Sequence, residues 1–155
     1  GARFPAYSSI VGSGANACIL HYTENNARLR SGDLVLIDAG CEFQGYAADI
    51  TRTFPVNGQF TAEQRAIYDL VLEAQRAAIA KVKPGNTWNQ PHDATVRVIT
   101  RGLIKLGLLK GNERDLIKAE AYRDFYMHRA GHWLGLDVHD VGEYRLTCLK
   151  GCKPN

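Results

Sequence analysis

LVLIDAGCEFQGYAADITRTF, residues 34–54, reads as a β-hairpin. Leu34–Ile37 is an apolar run, Gly40 and Gly45 punctuate the middle, and Phe43, Tyr46, Ile50, Thr51, Thr53 and Phe54 suit strands. Pro55, Asn57 and Gly58 end the segment. Two aspartates sit awkwardly in this pattern. Asp38 closes the apolar run and Asp49 opens the return segment, and the two are symmetric about the Phe43–Gln44 pair. A turn there, without a bulge, sets both carboxylates on one face with their Cβ atoms about 5 Å apart. Carboxylates that close repel, and one neutralises unless a cation lies between them. A divalent metal satisfies both, and two metals sharing a bridging carboxylate use the pair better still. The plainer alternative makes one aspartate a turn cap and the other a solvated strand residue.

On the N-terminal side, residues 1–20 read as extended, with SSIVGSGANACIL alternating small, polar and apolar residues. Its GxG is no dinucleotide fingerprint, because the third glycine is absent and no helical pattern follows. On the C-terminal side, Thr61 and Gln64 form a T-x-x-Q capping box, and Ile67, Leu70, Val71, Ala74 and Ala78 recur at helical spacing. Pro84-Gly85 stops that helix. A second helix is expected over Asn89 to Leu106, with Val96, Ile99, Leu103 and Leu106 on one face, and a third over Glu113 to Ala121 capped by Asn112. YMHRAGHWLGLDVHDVG then reads as strand and turn. Strands, helices, then strands imply an α+β fold built on an antiparallel sheet with helices on one face.

Four of the five histidines stand out: His21, His128, His132 and His139. Imidazole ligates transition metals and carries protons near neutral pH. His128 and His132 are an i,i+4 pair, a spacing as compatible with a structural role as with ligation. Gly131 and Gly135 allow close backbone approach beside them, and Trp133 and Leu134 offer a dry wall. His92 follows a proline near a helix start and is read as a surface residue.

The bulk properties bound the rest. The 155 residues are 45% hydrophobic and 23% charged, the composition of an ordinary soluble globular chain. A net charge of +3, spread without a basic run, argues against a nucleic-acid partner. No apolar stretch approaches the ~20 residues needed to span a bilayer, and GARFPAYSSI has no signal-peptide apolar region, so no membrane partner is expected. Cys18, Cys41, Cys148 and Cys152 read as free thiols in a reducing, cytoplasmic compartment, with a metal or disulfide role open for Cys148 and Cys152.

Taken together, GSGANACILHY, LVLIDAGCEFQGYAADITRTFPV and MHRAGHWLGLDVHDVG closely resemble aminopeptidase P, the Xaa-Pro aminopeptidases, from Ser9 to about Tyr144. The aspartate pair followed far downstream by GH-x2-G is the signature of the wider pita-bread metallopeptidases. The resemblance implies a partial pita-bread fold, with residues 1–145 a partial catalytic domain and residues 146–155 a divergent tail. It implies that Asp38, Asp49 and His132 ligate metal, usually two Mn2+ ions, and that His21, His128 and His139 line the substrate site. The reaction implied is hydrolysis of the bond between an N-terminal residue and proline, so the partners are peptides with proline at the second position, with homo-oligomers common. The family's two further glutamate ligands have no counterpart in HDVGEYRLTCLKGCKPN. The chain is therefore expected to be cut at each end, to hold one metal weakly or none, and to be catalytically impaired. The alternative is a non-catalytic pita-bread module that binds peptides or proteins.

Overall fold

The computed structural model describes residues 1–144, so the tail 146–155 with Cys148 and Cys152 lies outside the described residues. The chain divides into two compact units. One comprises Gly1–Asp69 and His132–Asp140; the other comprises, among the described residues, Leu70–Gly131 and 141–144.

The first unit carries all the strands: β1 (Phe4–Pro5), β2 (Ile10–Ser13), β3 (Leu34–Asp38), β4 (Cys41–Phe43), β5 (Tyr46–Ala47) and β6 (Thr51–Pro55). They form two three-stranded antiparallel sheets, ordered β1-β4-β5 and β2-β3-β6. The antiparallel α+β character matches expectation, and the reason for two sheets is local. The long hairpin bends where Gly40 passes Ala48, so closely that a Cβ on Gly40 would overlap the Ala48 carbonyl oxygen. Backbone bonds from Ala39 N to the Ile50 carbonyl (3.0 Å) and from Ala48 N to the Cys41 carbonyl (2.9 Å) carry one register through the bend. Val35 and Ile10 are buried in this unit.

The hairpin register differs from expectation. Phe43 pairs with Tyr46 and Asp38 with Thr51, so the chain reverses at Gln44–Gly45 and Asp49 is not directly opposite Asp38. The cause is turn chemistry. A two-residue turn between twisted strands takes positive φ at both central residues, and Gln44 (φ 54) and Gly45 (φ 88) provide it. A turn centred on Phe43–Gln44 would have placed a bulky aromatic there. The expected extended start also gives way at Gly14–Cys18, a 3-10 helix entered through Gly14 at φ 57.

The helices follow the sequence closely. α1 is Ala62–Ile79, and its capping box forms in both directions: Thr61 N donates to Gln64 Oε1 (3.0 Å) and Gln64 N to Thr61 Oγ1 (3.2 Å). α2 is Asn89–Lys105, and α3 is Glu113–Lys118, opened by the Asn112 side chain accepting from Arg114 N. In the second unit Ala74, Ile99 and Leu103 form the core, with Leu70, Val98, Leu109 and Tyr126 packed against it.

Two polar groups of α2 bear on stability. Thr100 is fully buried, and its hydroxyl has no partner among the described residues. Burying an unpaired hydroxyl costs about 1–3 kcal/mol, so Thr100→Val is expected to raise the urea midpoint by about 1 kcal/mol equivalent. A lower midpoint would show that the hydroxyl is satisfied in solution. His92, expected on the surface, is half-buried, and its Nδ1 is enclosed without a partner among the described residues. Burial, reinforced by the Arg129 guanidinium, holds its pKa below the usual histidine value. A depressed histidine binds fewer protons folded than unfolded. Its contribution is complete above the unfolded pKa of about 6.5 and is lost as pH falls through the folded one. Wild type is therefore expected to lose more stability than His92→Gln between about pH 7 and pH 5; equal losses in urea titrations at the two pH values would remove His92 as the cause.

Candidate metal centre

The two aspartates meet through a side chain that the sequence reading passed over. Asp38 ends β3, and Asp49 lies in the irregular segment between β5 and β6. Tyr7, just after β1, donates its hydroxyl to Asp38 Oδ1 in a short hydrogen bond and lies 3.4 Å from Asp49 Oδ1. One phenolic proton thus serves two carboxylates. Burial, then the bond to Asp38, pushes the Tyr7 phenol well above its ordinary range, so Tyr7 stays protonated at neutral pH. The pairing of β1 with β4 and the bond from Ala6 N to the Gly40 carbonyl (2.9 Å) bring Tyr7 here, non-local contacts that no periodicity in the sequence announces.

His132 completes the arrangement from the far end of the same unit. Its Nε2 stands 3.0 Å from Asp49 Oδ2, and its Nδ1 stands 2.8 Å from the Trp133 carbonyl oxygen. A carbonyl and a carboxylate both only accept, so Nδ1 calls for a proton toward Trp133, and Nε2 likewise faces an acceptor-only oxygen. Two acceptors face to face need a cation between them, either a second proton or a metal. The His139 ring packs beside His132, with centroids 4.1 Å apart. Asp38, Tyr7, Asp49, His132 and His139 therefore form one continuous polar chain.

The segment that carries the histidines is not a strand. Among the described residues, 125–144 holds no regular β-structure. Residues 132–140 instead close on themselves: Asp140 N donates to the Trp133 carbonyl (3.1 Å), Gly135 N to the Asp137 carbonyl (3.1 Å), and the Asp140 carboxylate accepts from Leu136 N (2.8 Å). A single backbone bond, from Ala47 N to the Gly135 carbonyl (2.8 Å), ties this loop to β5. Its glycines and internal caps compete successfully with strand pairing.

The other expected site residues are placed differently. His21 is exposed, in the left-handed region (φ 55), and makes no described hydrogen bond or ring contact with the chain of polar groups. His128 is exposed in the second unit, its Nδ1 2.9 Å from the Arg129 carbonyl. Among the described residues, no three Asp, Glu, His or Cys side chains converge tightly enough to hold a metal as they stand. Donor type nevertheless fits: two carboxylates and an imidazole with its Nδ1 tied off suit manganese or zinc, and thiolates are absent from the group. Orientation fits at Asp49 and His132, whereas Asp38 connects through Tyr7.

Comparison with known proteins bears on this arrangement. The model of metallopeptidase family M24 matches residues 1–152. An Xaa-Pro aminopeptidase of Haemophilus influenzae is 64% identical over 143 residues, covering 92% of this chain and 33% of that protein. The structure of Pseudomonas aeruginosa aminopeptidase PepP superposes with a TM-score of 0.93 at 66% identity, over 95% of this chain and 33% of that one. A zinc-substituted Escherichia coli aminopeptidase P in complex with product gives a TM-score of 0.90 at 59% identity, over 93% of this chain and 33% of that one. The chain thus spans about a third of the length of the relatives it matches. No helix of the described residues is long and apolar enough to cross a membrane.

Proposed function

The chain belongs to metallopeptidase family M24, and from that membership we propose that it carries part of the metal centre and substrate site of an Xaa-Pro aminopeptidase. The observation that carries this reading is the contact of His132 Nε2 with Asp49, made while Nδ1 is committed to the Trp133 carbonyl. That is the way a protein prepares an imidazole for ligation.

In this reading Asp38, Asp49 and His132 are the ligands, with manganese the metal. A divalent metal bound there would acidify a water and polarise the scissile carbonyl. The protein's own side chains supply the rest. Tyr7 holds its proton against both carboxylates and keeps them together despite their charge. His139, whose ring packs beside that of His132, is placed to hold a proton for the substrate, and the assignment of His21 and His128 to the substrate site rests on the family resemblance. The substrate class is a peptide with proline at the second position.

Three donor side chains make a weak site on their own. The isolated 155-residue polypeptide is therefore expected to bind Mn2+ weakly and to hydrolyse an Xaa-Pro tripeptide far more slowly than its full-length relatives. Calorimetric titration with MnCl2 separates this reading from a non-catalytic peptide-binding module, which would give no manganese-dependent heat. Turnover at the level of a full-length relative would overturn the expectation of impairment.

A further inference from the structure

We propose that Asn25 is a positioning residue: its side-chain amide fills the outer edge of β2 as a strand residue would, and so anchors the arch of chain that carries His21. The part His21 plays in the reaction rests on the substrate-site reading above; the anchor itself does not.

Among the described residues β2 is an edge strand, paired with β3 on one side. On its other side one side chain takes two backbone groups. Val11 N donates to Asn25 Oδ1 (2.7 Å), and Asn25 Nδ2 donates to the Ser9 carbonyl (2.7 Å). The N–H of one residue and the carbonyl two residues before it are the groups that a residue on a parallel neighbouring strand would engage. The Asn25 amide thus stands in for a strand residue beside Ile10. The chemistry admits one orientation, since Val11 N must meet an oxygen and the Ser9 carbonyl must meet an N–H. Across β2, Ile10 is opposite Asp38, so Asn25 ties its loop to the row that holds a candidate ligand.

The arch is residues 19–25. It leaves the 3-10 helix Gly14–Cys18, which lies so close to β2 that a Cβ on Gly12 would come within 2.8 Å of the Asn16 carbonyl oxygen. Ile19, Leu20 and His21 are exposed, and the buried Tyr22 begins the return. His21 (φ 55) and Asn25 (φ 50) both take the left-handed backbone conformation. A residue with a side chain keeps that conformation only where its surroundings over-determine it. Burial of Tyr22 holds the foot of the arch, but burial has no direction, and the Tyr22 hydroxyl bonds locally to Asn26 Oδ1 (3.3 Å). Among the described residues, the hydrogen bonds from this stretch to the sheet are the two of Asn25. They have direction, so they set where the chain lands and hence how His21 is turned.

Backbone 15N relaxation of the chain is the test. The His21 amide of wild type is expected near the rigid order parameter of about 0.85, and that of Asn25→Ala below about 0.6, with the β3 amides unchanged. A merely structural contribution would lower the urea midpoint without loosening His21 selectively. Amide exchange reads the anchor directly: the Val11 amide is expected to exchange at least about tenfold faster in Asn25→Ala than in wild type. Asn25→Asp keeps the shape and the acceptor for Val11 N but sets an oxygen against the Ser9 carbonyl, so it is expected to loosen His21 as well. A wild-type His21 below about 0.6, or a folded Asn25→Ala chain with His21 as rigid as in wild type, overturns the proposal. If Asn25→Ala does not fold, Asn25→Asp decides by the same criterion. If neither folds, wild type decides: a Val11 amide at least about tenfold slower to exchange than an open loop amide upholds the anchor, and free exchange refutes it. Addition of an Ala-Pro-Ala tripeptide provides the second readout. An anchor that responds as expected, in a chain where the peptide shifts no His21 signal, upholds Asn25 as the positioning residue and sinks the substrate-site reading of His21 instead.

Discussion

Gly40→Ala is expected to destabilise the chain by at least about 3 kcal/mol, at the upper end of what overpacking costs and enough to leave much of a marginal fold unfolded. Gly40 is buried and has an ordinary backbone conformation, so the issue is room rather than φ. The added Cβ would overlap the Ala48 carbonyl oxygen and come within 3.0 Å of the Tyr7 ring. Neither neighbour can step aside cheaply. The Gly40 carbonyl accepts from Ala6 N (2.9 Å), and the bonds from Ala39 to Ile50 and from Ala48 to Cys41 clamp the crossing on both sides. A flexible side chain would rotate away, but a backbone carbonyl inside a ladder moves only if the ladder does. Gly58 provides the control. It has φ +77 and open space around it, so Gly58→Ala pays backbone strain alone, about 1–2 kcal/mol. Urea midpoints of the two variants would rank them, and a Gly40→Ala loss no larger than that of Gly58→Ala would show that the bend is soft.

The same crossing explains what could and could not be read from the sequence. The hairpin and its strands were legible because β-forming residues and glycine punctuation are local signals. So was α1, because a capping box is written within four residues. The register was misread at the turn. Symmetry of the two aspartates suggested Phe43–Gln44, whereas the requirement for positive φ selects Gln44–Gly45. Tyr7 and the closure of residues 132–140 were illegible for a different reason. Tyr7 reaches Asp38 across 31 residues of chain, and Asp140 works through hydrogen bonds to backbone amides, which carry no residue-type signal.

Asp49→Asn is the substitution expected to split metal binding from stability most cleanly. In the metal-free chain Asp49 is poorly matched to its neighbours: its Oδ1 shares the one Tyr7 proton with Asp38, and its Oδ2 meets His132 Nε2 in a contact that only a proton or a metal can fill. An asparagine of the same shape relieves both problems. Its oxygen accepts from Tyr7 without adding charge beside Asp38, and its amide N–H donates to Nε2. The metal-free variant is therefore expected to be more stable than wild type by about 1 kcal/mol. With metal the order reverses. A metal at 100 times its Kd stabilises a folded chain by about 2.7 kcal/mol. The variant is expected to gain almost none of this, because a neutral amide that has already satisfied His132 replaces an anionic ligand. Thermal melts of both proteins with and without saturating zinc read the two effects separately. A solvated strand aspartate would show neither sign, and a purely structural hydrogen-bonding aspartate would lose stability in both conditions. Only an aspartate held ready for a cation should be a liability without the metal and indispensable with it.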